Sequence, residues 1–104
     1  MDRQIVSLIS ICMKARVLQT GSFTCEKAVQ AGKAELVIVT NDASNNTKKK
    51  FSQKAFYYGV PYREMMTMEE LGRATGTDSR SVAVVTDRNL SGRILELNGV
   101  DSGT

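Results

Sequence analysis

Glu35-Leu36-Val37-Ile38-Val39-Thr40 and Ser81-Val82-Ala83-Val84-Val85-Thr86 are the two stretches that decide the fold of this sequence. Each carries an unbroken apolar run between polar ends. A strand with one wet face alternates apolar and polar positions, so an unbroken run predicts burial on both faces. A sheet covered on both faces needs a helix layer on each.

The flanking segments supply those helices. After the first run, Asn41-Asp42-Ala43-Ser44 reads as a turn that also caps a helix from about Ser44 to Tyr58. Phe51, Ala55 and Tyr58 fall on one face of it, and Gly59 ends it. Val60-Pro61-Tyr62-Arg63 reads as a short strand, placed by Pro61 at an edge or a strand start. Thr67-Met68-Glu69-Glu70 is a capping box for a helix with Leu71 and Ala74 inward, stopping at Gly76. Gly72 within it costs roughly 1 kcal/mol against alanine, which predicts close packing there.

Working back from the first run, Ser22 to Ala31 predicts a helix with Cys25, Ala28 and Val29 buried and Gly32 beyond its end. Arg16-Val17-Leu18-Gln19 looks extended, and Thr20-Gly21-Ser22 breaks it. Asp2 caps a first helix reaching Lys14, with Ile5, Leu8, Ile9, Cys12 and Met13 on one face. After the second run, Asp87 caps a last helix with Leu90, Ile94 and Leu97 on one face. Residues 1–98 are expected to form one domain, with 99–104 as a frayed tail. The order is αβαβαβαβα, which predicts an α/β fold whose central sheet is mostly parallel.

Composition narrows the chemistry. The 104 residues include 14 Lys+Arg and 11 Asp+Glu, a net charge of +3. Histidine is absent, which removes the commonest general base and metal ligand together. Cys12 and Cys25 lack metal or redox spacing and sit on apolar helix faces, so both read as buried hydrophobes. No P-loop, dinucleotide fingerprint, nucleophile elbow or Cys-x5-Arg motif occurs. A non-enzymatic protein without cofactor or metal is expected. The N-terminus lacks signal-peptide character and no apolar run is long enough to span a bilayer, so the cytoplasm is expected.

One constellation remains. Gly21-Ser22 opens a helix whose first N–H groups have no helical partner and suit phosphate oxygens. Lys27 follows, and Lys14 and Arg16 precede the turn. Phe23 falls outside the buried stripe and admits two readings: a ring exposed for stacking on an unpaired base, or a hydrophobic staple. The Lys48-Lys49-Lys50 run, with Lys54, reads first as a solvated helix face.

With those residues in view, the sequence resembles the kink-turn RNA-binding ribosomal protein superfamily, of the archaeal and eukaryotic large-subunit type, in its bacterial YlxQ-like branch. Four stretches between Leu8 and Leu97 carry the likeness. They are Gly21 through Lys27-Ala28 to Gly32-Lys33-Ala34; Leu36 to Val39 with Asn41-Asp42-Ala43-Ser44; Lys48-Lys49-Lys50 with Tyr58-Gly59-Val60-Pro61; and Glu70 to Gly76 leading into Val82 to Asp87. The resemblance implies a three-layer α-β-α sandwich with a mixed four-stranded sheet, in place of a mostly parallel one. It implies RNA binding through three loops, here Gly21-Ser22-Phe23-Thr24 to Lys27, Asn41-Asp42, and Thr77-Asp78-Ser79-Arg80.

Two departures bear on that. The family's kink-turn binders carry Asn-Glu in the first helical turn, where this chain has Phe23-Thr24. Their third loop is apolar, where Thr77 to Arg80 is polar. Phosphate contacts are expected to outlast base readout. The expected partner is structured RNA, ribosomal or in a ribonucleoprotein, bound by a monomer. A competing reading is a protein-interaction module using Phe23, Phe56 and Tyr57. A third, an accessory domain of an RNA-modifying enzyme, has no catalytic segment here to support it.

Overall fold

The computed structural model describes residues 2–102. Its elements follow the expected alternation: α1 (Arg3–Lys14), β1 (Leu18–Thr20), α2 (Ser22–Gln30), β2 (Leu36–Val39), α3 (Asn45–Tyr58), β3 (Tyr62–Glu64), α4 (Met68–Thr75), β4 (Val82–Val85) and α5 (Arg88–Ser102). The helix starts are those the caps predict. Asp2 Oδ1 accepts from the Gln4 N–H at 2.7 Å, the Ser44 side chain caps α3, and Asp87 Oδ2 accepts from the Leu90 N–H at 2.8 Å. The Thr67/Glu70 capping box is formed in both directions.

The strands lie in the order β1-β4-β2-β3. β2 and β3 are parallel, whereas β4 is antiparallel to both its neighbours, β1 and β2. The sheet is therefore mixed, and the mostly parallel arrangement that alternation alone suggests is corrected. The connections account for it. α2 and α3 each carry the chain back to the end where β2 and β3 begin, whereas α4 with its loop leaves the chain at the end where β3 finished. β4 must then run against the others, and it inserts between β1 and β2.

Both faces of the sheet are covered. Leu36, Ile38, Ala83 and Val85 pack with Ile5, Ile9 and Cys12 of α1, Leu71 of α4 and Ile94 of α5. Val37, Val39, Val82 and Val84 pack with Cys25, Ala28 and Val29 of α2 and Phe51 and Ala55 of α3. Alternate residues of each apolar run feed opposite layers, which is why neither run contains a polar position.

Four sequence expectations shift. β1 and β3 each begin two residues later than expected, at Leu18 and Tyr62. Arg16 and Val17 instead close α1, donating to the carbonyls of Met13 and Cys12 at 3.1 and 2.9 Å. Val60 closes α3, donating to the Ala55 carbonyl at 2.8 Å. Tyr58 is exposed rather than buried. α5 continues past Asn98 to Ser102, and the last part of the expected tail, 103–104, lies outside the described residues.

Candidate functional site

Thr20 pairs with Ala83, and Val39 pairs with both Val82 and Glu64. The ends of β1, β2 and β3 and the start of β4 therefore share one end of the sheet. The three loops singled out from the sequence meet there, and backbone bonds knit them. The Gly21 N–H donates to the Val82 carbonyl at 3.2 Å, and the Thr40 N–H to the Ser81 carbonyl at 2.9 Å. The Asn41 N–H reaches the Met66 carbonyl at 2.8 Å, and the Arg80 N–H the Met68 carbonyl at 3.3 Å.

The entrance to α2 differs from the other helix starts. α1, α3, α4 and α5 are capped by side chains, whereas Gly21 at the start of α2 offers none. The first bond within α2 runs from the Cys25 N–H to the Gly21 carbonyl at 2.9 Å. The N–H groups of Ser22, Phe23 and Thr24 are left at the positive end of the helix dipole, a geometry that suits an anion. Gly21 has φ 92°, and a Cβ there would meet nothing within 4 Å. Backbone conformation, not space, reserves the position for glycine.

Phe23 points outward, with 73% of its surface exposed. The Lys27 Nζ lies 5.3 Å from its ring centroid, a cation–π contact on the outer side of the turn. The staple reading of Phe23 is thereby corrected: no core surrounds the ring. Asn41 and Asp42 are exposed, but Asp42 also has an internal task, accepting from the Met68 N–H at 3.0 Å. Thr77 to Arg80 forms a braced turn. Thr77 Oγ1 lies 2.8 Å from Thr75 Oγ1 and donates to the Asp78 carbonyl at 3.0 Å, and Arg80 Nη1 donates to the Ser79 carbonyl at 3.1 Å.

Lys14 and Arg16 are not part of this cluster. They precede β1, whose first residue pairs with Val85 at the far end of β4. The expectation that they flank Gly21 fails because β1 carries the chain across the sheet between them. Sequence reading also missed a fourth segment at the site, Met65-Met66. Both are buried, and Met66 has φ 54° while its carbonyl holds Asn41. Met66 precedes the Thr67 cap and shares a core cluster with Leu71 four residues into α4, the hydrophobic-staple pattern that could have revealed it.

Nucleophilic chemistry finds no support. Burial pushes the Cys12 thiol up to about 11, helped by the charge of Asp87, and pushes Cys25 up to about 12. Among the described residues no group of three or more His, Cys, Asp or Glu is placed to hold a metal ion. What the site offers is outward N–H groups, an exposed ring and nearby cations.

The sequence pattern of the ribosomal protein L7Ae/L30e/S12e/Gadd45 family matches residues 3–95. The chain belongs to this family. Within the L7Ae/L30e/S12e/Gadd45 group it is 36% identical over 90 residues to "RNA-binding protein YlxQ" of Bacillus subtilis (strain 168), covering 86% of this chain and 90% of that one. It is 35% identical over 95 residues to the protein of the same name from Enterococcus faecium, covering 91% of each. A solved Bacillus halodurans C protein described as of unknown function superposes with a TM-score of 0.89 at 36% identity, covering 92% of this chain and 97% of that one. The "15.5kD RNA binding protein" of Giardia lamblia shares the fold, with a TM-score of 0.78 at 23% identity over 93% of this chain and 89% of that one.

Proposed function

We propose that this protein is a non-catalytic RNA-binding protein that grips structured RNA at the end of the sheet where Gly21, Asn41 and Arg80 meet. The observation that carries the reading is the uncapped entrance of α2, with Phe23 and Lys27 standing outward beside it. Membership of a ribosomal-protein family and the names of its relatives support it. The N–H groups of Ser22 to Thr24 take a phosphate, Lys27 and Arg80 add positive charge, and the Phe23 ring stacks on an unpaired base.

The same residues define what is lost. Phe23 and Thr24 stand where kink-turn binders of this superfamily carry Asn-Glu, so pairing with guanine and adenine edges is replaced by stacking. We infer a modest preference for kink-turns over other structured RNA, ribosomal or in a ribonucleoprotein, by a cytoplasmic monomer. The test is titration of a kink-turn RNA and a plain duplex at two salt concentrations. About four to six phosphate contacts give log K against log salt a slope of roughly −3 to −5. Failure to bind either RNA at low salt ends the proposal. The rival protein-docking reading is weakened by placement: Phe23 opens α2 at this end of the sheet, while Phe56 and Tyr57 close α3 at the other.

A further inference from the structure

The outer side of α3 carries a second surface that the site above does not use. A groove of about 690 Å³ runs along α3 beside α2, lined by Lys49, Lys50, Lys54, Tyr57 and Tyr58, with Glu26 on the α2 side. Its three lysines face one glutamate, an excess of two positive charges. Glu26 is spoken for: Lys50 Nζ lies 2.9 Å and Lys54 Nζ 3.2 Å from its two oxygens. Those contacts, Lys50 first, hold its carboxyl below the ordinary range, so it stays ionised and clamps α2 to α3. Lys49 is exposed and outside these ion pairs.

The aromatic side chains on this helix are as unusual as the charge. Tyr57 is 79% and Tyr58 42% exposed, with ring centroids 5.0 Å apart in an edge-to-face pair. Open ring faces at the end of a lysine track match what a single nucleic-acid strand needs, cations for the backbone and platforms for bases. From Asn46 to Tyr57 the track covers about 16 Å, room for about four stacked nucleotides. It starts where α3 does, near Asn41 of the first site, and leads away from it.

From this we propose that the α3 track binds a single-stranded RNA segment flanking the structured RNA held at the α2 entrance. The charge excess, the stacking platforms and continuity with the first site favour RNA over a protein partner. The proposal rests on the RNA-binding reading above only for the origin of the strand. The track itself is tested with an isolated oligonucleotide, so the two can fail separately.

The experiment measures binding of a fluorescent 12-nucleotide oligouridylate, and of a duplex RNA with and without that tail, at low salt. Variants are Lys49→Glu, Tyr57→Ala, Tyr57→Phe and Lys14→Ala, all at exposed positions that leave the core intact. The expected result is oligouridylate binding weakened about tenfold by Tyr57→Ala and by Lys49→Glu, and kept by Tyr57→Phe and Lys14→Ala. The tail should tighten duplex binding in the wild type and not in Tyr57→Ala. Absence of oligouridylate binding, or binding indifferent to Tyr57→Ala, overturns the proposal. So does a dimer seen by sedimentation, or an acidic protein captured after RNase treatment, that Tyr57→Ala abolishes.

Discussion

Gly72 shows how one atom's absence can serve the fold. It sits inside α4, where glycine is a poor helix former, and a Cβ there would collide with the Asp78 carbonyl and crowd the Ser79 backbone. Thr77 also returns its N–H to the Gly72 carbonyl at 2.8 Å. Gly72→Ala gains about 1 kcal/mol of helix propensity and loses about 1–3 kcal/mol to overpacking. A net drop in urea midpoint is expected, together with weaker RNA binding as Thr77 to Arg80 is displaced. The two thiols give a pH prediction. Their folded values, about 11 and about 12, stand above the ordinary 9.0. The unfolded chain thus releases these protons first, and stability is full below pH 9, falls as pH rises through 9 to 12, and levels off beyond. Chemical denaturation at pH 7, 9 and 10.5 checks the direction; a midpoint that rises with pH contradicts it.

At the scale of elements, helix endings explain the displaced strands. α1, α2, α3 and α4 all finish with one residue at positive φ whose N–H, and the next, turn back onto the helix: Arg16, Gly32, Gly59 and Gly76. These closures consume the N–H groups of Val17 and Val60, so neither N–H can donate to a neighbouring strand. Both segments look extended because Val17 and Val60 are β-branched, a local preference that the helix ending overrides. Three of the four endings use glycine, and Arg16 at φ 62° is the exception. Arg16→Gly should raise stability by about 0.5–1 kcal/mol, since the left-handed conformation is costly for arginine. A lower melting temperature would show that Arg16 makes compensating contacts. At the opposite kind of terminus, Thr67→Ala removes the side-chain partner of the Glu70 N–H at 3.1 Å. It should cost about 1 kcal/mol in a denaturation series, while Thr67→Ser should restore most of it.

For the whole molecule, the decisive fact is that the sheet has two ends. Positive charge is distributed to both, yet only one holds the uncapped α2 entrance. Lys14→Glu and Arg16→Glu, at the far end, should leave affinity for structured RNA within about twofold at physiological salt, where charges more than ~8 Å apart are largely screened. Lys27→Ala and Arg80→Ala should each weaken binding and flatten the salt slope by about 1. Equal effects from all four substitutions would mean diffuse attraction rather than a site. Ion pairs from Glu26 to Lys50 and Lys54 link α2 to the α3 track, so the same helix layer presents both surfaces.

The sequence by itself determined which segments are helices, where they start, and that the two apolar runs are covered on both faces. These are local properties: a cap, a periodicity or an apolar run acts within a few residues and is legible there. It also exposed Gly21, Phe23 and Lys27, because the start of a helix is a local event. Tertiary structure alone decided that β4 enters between β1 and β2, that Met65-Met66 joins the site, and that Lys14 and Arg16 lie across the sheet from it. Strand order and direction depend on whether each connection carries the chain back across the sheet. That is settled by packing between residues far apart in sequence, and no window of neighbours contains it.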